Sequence, residues 1–149
     1  MGYLKLRVGP DDLGTTELFA EFEADGFAGH GSAWFNVSDL IALSHEFAKY
    51  PLLANNAARI EGGYWSKGEP SKIDQEHLHI SAYPTNNRGG IGMRIRAAID
   101  FDPSLESGPK YYAAAELKVT YEQMARFSQH LRDLVNGYIR EIVFDEAHG

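Results

Sequence analysis

A chain of 149 residues, 44% of them hydrophobic, is the size of one ordinary domain and is apolar enough to bury a core. A net charge of −7 argues against general nucleic-acid binding, which needs a basic face to neutralise phosphates. The lack of cysteine excludes disulfides, a thiol nucleophile and Cys-based zinc. No apolar run reaches membrane-spanning length and "MGYLKLRVGP" carries no signal-like apolar stretch, so the expectation is a cytoplasmic protein that binds neither membrane nor nucleic acid.

The first strand is "YLKLRV", with Leu4, Leu6 and Val8 on one face and Tyr3, Lys5 and Arg7 on the other. "ELFAEFEA" alternates in the same way, setting Leu18, Ala20, Phe22 and Ala24 against Glu17, Phe19, Glu21 and Glu23. Six acids and no Lys or Arg lie between Asp11 and Asp25, a field able to steer a basic partner or simply to keep a strand face solvated. The glycines of "DGFAGHG" predict a hairpin with a widened or bulged turn before the strand "SAWFNV". Gly26, Gly29 and Gly31 have the wrong spacing for a phosphate cradle, and a strand follows them where a helix is needed.

A helix is expected from about Ser38, capped by Asn36 or Ser38, with Leu40, Leu43 and Phe47 on one face and Pro51 as its stop. "ARIEGGYW" reads as a strand whose paired glycines suggest a bulge or a close backbone approach. The loop "SKGEPSKIDQ" then leads to the strand "EHLHISAY". "IGMRIRAAID" follows, with Ile91, Met93, Ile95 and Ala97 inward. After a loop at 101–110, "YYAAAELKVT" sets Ala113, Ala115, Leu117 and Val119 against Ala114, Glu116 and Lys118. The last helix has a capping box (Thr120 with Gln123), a stripe of Met124, Phe127, Leu131 and Leu134, and Gly137 beyond its end. "YIREIVF" closes the chain as a short strand. The expected fold is α+β in one domain, residues 1–149: a single curved, mainly antiparallel sheet of about seven strands, with two amphipathic helices on one face.

His77 and His79 stand one residue apart, so an unbroken strand points both imidazoles outward, beside Ser81 and Tyr83. Catalytic zinc needs three protein ligands, and Glu116 or Glu61 would have to supply the third. Arg94 and Arg96 share that face and oppose a cation. The electrostatics therefore favour a ladder of cross-strand pairs, and no metal or other cofactor is expected. "His79-Ile80-Ser81" also matches one half of the paired His-x-Ser/Thr elements of two-histidine phosphoesterases, but no second copy is present. No G-x-S-x-G element supports serine hydrolase chemistry. Trp34, Phe35, Tyr64 and Trp65 can line a pocket or pack as core and rim.

The stretch "FEADGFAGHGSAWFNVSDLIALSHEFAKYPL" combines an acid-rich strand, a Phe-x-Gly turn, an aromatic strand and "VSDL" opening a helix. With "HLHISAYPTNNRGGIGMRI" and the closing helix "TYEQMARFSQHLRDL", it resembles small bacterial WapI-type immunity proteins and related uncharacterised domains over most of the chain. That resemblance implies a non-catalytic protein that binds and blocks a cognate toxin. A basic nuclease toxin would suit an acidic surface of Glu17, Glu21, Glu23 and Asp25, with Phe27 and Trp34 as aromatic anchors. The alternatives are an enzyme or binding protein for a metal or small ligand centred on His77 and His79, and a structural or regulatory domain with some other partner.

Overall fold

The computed structural model describes residues 1–102, 104 and 108–147. Four residues of the loop expected at 101–110 (Pro103, Leu105, Glu106 and Ser107) lie outside them. The order of elements is β1 (Tyr3–Val8), β2 (Thr15–Ala24), β3 (Phe27–Asn36), α1 (Val37–Glu46), β4 (Ala58–Trp65), β5 (Ile73–Pro84), β6 (Ile91–Ala98), β7 (Tyr112–Val119), α2 (Tyr121–Val135) and β8 (Ile142–Asp145). The class is α+β and every strand pairing is antiparallel.

The strands form two sheets of four, ordered β3-β2-β1-β8 and β4-β5-β6-β7, and not the single sheet expected. Each helix marks a point where the chain leaves one sheet for the other. β1 to β3 are joined by turns and pair as neighbours; α1 then carries the chain to the second sheet. α2 returns it, and β8 pairs with β1. Alternation tells which face of a strand is buried but not what buries it. Here the partner is largely the other sheet.

The crossing of the sheets is set by small residues on β3. A side-chain carbon at Gly29 would lie 2.5 Å from the Ala113 Cβ on β7, and one at Gly31 would lie 2.9 Å from the Ala97 Cβ on β6 and 3.2 Å from the His77 carbonyl on β5. Further along, a side-chain carbon at Gly62 of β4 would lie 2.7 Å from both the Ala33 Cβ and the Phe35 ring of β3. β3 therefore runs across all four strands of the second sheet, from β7 to β4, in the manner of an orthogonal packing. The glycines expected to shape a wide turn serve this contact instead. The hairpin turn itself is only Asp25-Gly26, both with positive φ (51° and 85°), and the pairing runs unbroken from Ala24↔Phe27 to Thr15↔Asn36.

Where the sheets diverge, the helices fill the gap. α1 packs on α2 and β4, while α2 packs on β1 and β8. Phe127 bridges them, meeting Phe47 edge-on at 5.2 Å between ring centres and Phe144 of β8 at 5.8 Å. The Thr120–Gln123 capping box is formed in both directions, and Gly137 takes the left-handed conformation just past the helix (φ 80°). α1 begins at Val37 after Asn36, whose side chain makes no capping bond and donates to Asp39 instead. Among the described residues, no helix is long and apolar enough to cross a membrane.

Candidate functional sites

β5 pairs with β4 from Ala58↔Ala82 to Gly62↔Leu78; the register then slips, Gly63 faces Glu76, and His77 is left without a partner. Any side chain at Gly63 would run into the Gln75 carbonyl, so the paired glycines make the bulge possible. The bulge reverses the alternation, and the two histidines therefore do not share a face. Gln75 and His77 turn to the side of Leu78 and Ile80, towards β3. Glu76 joins His79 and Ser81 on the outer side. Both imidazoles are buried, at 9% and 7% exposure, where an outward, wet position was expected.

His77 Nε2 lies 3.1 Å from Gln75 Oε1, and its ring meets Tyr64 edge-on at 4.6 Å. Burial pushes its pKa below the usual histidine value, with the charge of Asp100 opposing in part. His79 sits in a chain of polar contacts: Nε2 is 2.8 Å from Ser81 Oγ, and Nδ1 is 3.1 Å from Glu76 Oε2 and 3.1 Å from an Arg96 nitrogen. Burial alone would raise the Glu76 carboxyl, but the hydrogen bond and charge of His79, then Arg96, outweigh it and hold the group below the ordinary value.

Glu61, Glu76 and His79 bring ligand-type atoms within 4.8 Å of one another. Arg96 stands inside that group, 2.9 Å from Glu76 Oε1, and supplies the positive charge a cation would bring. Of the sequence candidates for metal, His77 faces the other way and Glu116 pairs with Arg94 at 3.5 Å, so His77, His79 and Glu116 do not converge. The outer face carries a ladder of pairs, Arg59–Glu61, Glu76–Arg96 and Arg94–Glu116. Ser81, His79 and Glu76 are bonded in series, yet β5 is paired on both sides. Its backbone N–H groups are thus spent in the ladder and build no oxyanion hole at Ser81.

The acidic and aromatic residues lie along the first sheet. Glu17, Glu21 and Glu23 are on its outer face, Asp25 occupies the hairpin turn, and Phe27 (70% exposed) follows it. Trp34, 57% exposed, pairs across the strands with Glu17, whose carboxylate accepts a 2.6 Å bond from Ser32 Oγ. Asp25 and Phe27 are a strand length away from Trp34, about 23 Å over seven residues. The acidic run is also less uniform in space than in sequence. β1 sets Lys5 opposite Glu21 and Arg7 opposite Phe19, where the guanidinium stacks at 4.2 Å from the ring centre.

Trp34 instead adjoins two grooves. One, of about 450 Å³, is lined by Glu17, Trp34, Tyr64, His77 and Asp100; no Lys or Arg among the described residues lines it. The Tyr64 hydroxyl donates to Asp100 at 3.2 Å, and Asp100 raises the phenol's pKa through its charge and this bond. The other groove, of about 690 Å³, lies between Trp34, Trp65 and Leu43, with Asp39, Glu61 and Arg59 at its margins. Four carboxylates thus surround the exposed rings against one guanidinium. The aromatic members were visible in the sequence. Asp39 and Asp100 were not, because only the crossing of the sheets and the helix start bring them to Trp34.

Fold and surface together define a two-sheet α+β protein with an acidic, aromatic groove beside an edge strand. Neither the protein-family models nor the curated proteins yield a match to this chain.

Proposed function

We propose that this chain is a non-catalytic binding module of the immunity type, which engages a basic protein, such as a nuclease toxin, through the surface around Trp34. One observation carries the reading: two exposed rings, Trp34 and Tyr64, flank a groove whose charged walls are Glu17 and Asp100, with no cationic side chain lining it among the described residues. Aromatic faces beside carboxylates suit an arginine or lysine of a partner, through cation–π attraction and a charge-assisted bond. Exposed Trp and Tyr are the residues that most often anchor an interface. Glu21, Glu23 and Asp25 extend the same strand pair and would steer a basic partner at longer range, and Phe27 adds an exposed ring beyond them.

The test is affinity capture from the host lysate, with wild type and a Trp34→Ala/Glu17→Lys variant side by side and a high-salt wash. The reading predicts a stoichiometric basic protein on the wild type that is depleted on the variant. Equal retention by both proteins, or no retained protein at all, would reject it.

A further inference from the structure

On the outer face of the second sheet a groove of about 330 Å³ is lined by Asn56, Arg59, His79, Ser81, Tyr83 and Arg94, and no carboxylate lines it among the described residues. In a chain of net charge −7 this is a concentration of hydrogen-bond donors, two of them guanidinium groups. Arg59 and Arg94 are half exposed, and their acidic contacts are loose, at 3.4 Å to Glu61 and 3.5 Å to Glu116. The Tyr83 hydroxyl is buried and has no hydrogen-bond partner, the only such side-chain atom among the described residues. A buried polar group left unpaired costs about 1–3 kcal/mol, so a native fold that keeps one calls for a reason. The Arg94 guanidinium lies 5.2 Å from the centre of that tyrosine ring. At the floor, Ser81 Oγ lies 2.8 Å from His79 Nε2, and its hydroxyl adds a further hydrogen-bonding group to the lining.

We propose that this groove binds a phosphate monoester group. Two guanidinium forks alone saturate a carboxylate, which carries one charge on two oxygens. A phosphate brings close to two charges and three terminal oxygens, enough to engage both arginines, Ser81, Tyr83 and Asn56 together. The flexible Arg59 and Arg94 side chains turn from Glu61 and Glu116 onto the anion, and Arg94 moves off the Tyr83 ring as the hydroxyl gains its acceptor. The site stands on different residues from the Trp34–Tyr64 groove and is independent of the protein-binding reading.

Inorganic phosphate, O-phospho-L-serine and acetate are titrated against the protein at constant ionic strength and followed by ¹H–¹⁵N NMR. Saturable shifts around residues 56, 59, 81, 83 and 94 are expected, with phosphate at least about tenfold tighter than acetate. Equal affinity for phosphate and phosphoserine identifies the free ion as sufficient, and tighter phosphoserine identifies an ester. Either result supports the site. Arg94→Gln should weaken phosphate about tenfold or more, as loss of charge-assisted bonds does, and Arg94→Lys, which keeps the charge but loses the fork, should weaken it less. Tyr83→Phe should weaken phosphate while leaving the melting temperature at or above that of wild type, because its hydroxyl has no partner within the protein. No saturation below about 10 mM phosphate, equal affinity for acetate, or unchanged binding in an Arg59→Gln/Arg94→Gln double variant would overturn the proposal.

Discussion

Replacing Gly31 by alanine loads a close crossing point of the two sheets. The new methyl would sit 2.9 Å from the Ala97 Cβ and 3.2 Å from the His77 carbonyl oxygen. Carbon atoms pack best at about 3.5–4.0 Å, so the first contact falls short by about 0.6–1.1 Å. Neither neighbour is the free end of a flexible chain. Ala97 is 3% exposed and the carbonyl is backbone, so the sheets must part. Overpacking of this kind costs about 1–3 kcal/mol. For a domain of this size each kcal/mol lowers the melting temperature by about 2–4 °C, giving a fall of about 2–12 °C. Urea denaturation gives the free energy, and a double-mutant cycle gives the cause. Ala97→Gly alone should cost about 1 kcal/mol for a glycine within a strand, yet in the Gly31→Ala background it removes the clashing methyl. The double variant should then be more stable than the sum of the singles by about 1 kcal/mol or more. Additive losses, or a Gly31→Ala change within about 0.5 kcal/mol of zero, would refute the crossing geometry.

Glu76→Gln should destabilise by about 1–2 kcal/mol at neutral pH, since its carboxylate accepts charge-assisted bonds from Arg96 and His79. The folded pKa of Glu76 lies below its unfolded value, so its contribution is present above about pH 4.5 and fades as pH falls through the folded value. The variant should lose stability less steeply with acid over that range; an identical slope in pH-dependent urea melts would exclude the network. His77 acts in the same direction, in a higher pH window. Its folded pKa is depressed by burial, so the fold is favoured above about pH 6.5 and weakened as pH drops towards the folded value. An imidazole NMR titration should place its midpoint below about 6.5, and a higher midpoint would contradict the buried position. Thr120→Ala removes the side-chain half of the α2 capping box and should cost about 1 kcal/mol in thermal or urea unfolding.

The elements were legible in the sequence because period-two alternation and helix caps are local signals. Leu18, Ala20 and Phe22, or Met124, Phe127 and Leu131, declare their buried faces without reference to anything distant. The division into two sheets was not legible, since the same alternation serves a strand packed on a helix or on another sheet. Gly29 and Gly31 carried the missing information, but a glycine reads equally as a turn or as a close approach. The histidine pair shows the same limit at the site. Its common face follows from an unbroken strand, and the break lies in "EGGYW" on the neighbouring strand, where paired glycines signalled a bulge but not which residue of β5 it would displace. Trp34 and Glu17 were legible as surface candidates. Tyr64 and Asp100 became their neighbours only through the crossing of the sheets.

The most direct test of the binding surface is site-specific photo-crosslinking in host cells, with a benzophenone amino acid replacing Trp34 in one variant and Arg126, exposed on α2, in another. The account predicts that Trp34 yields a discrete adduct with one basic protein and that Arg126 does not. An adduct formed equally from both positions, or none from Trp34, would contradict it.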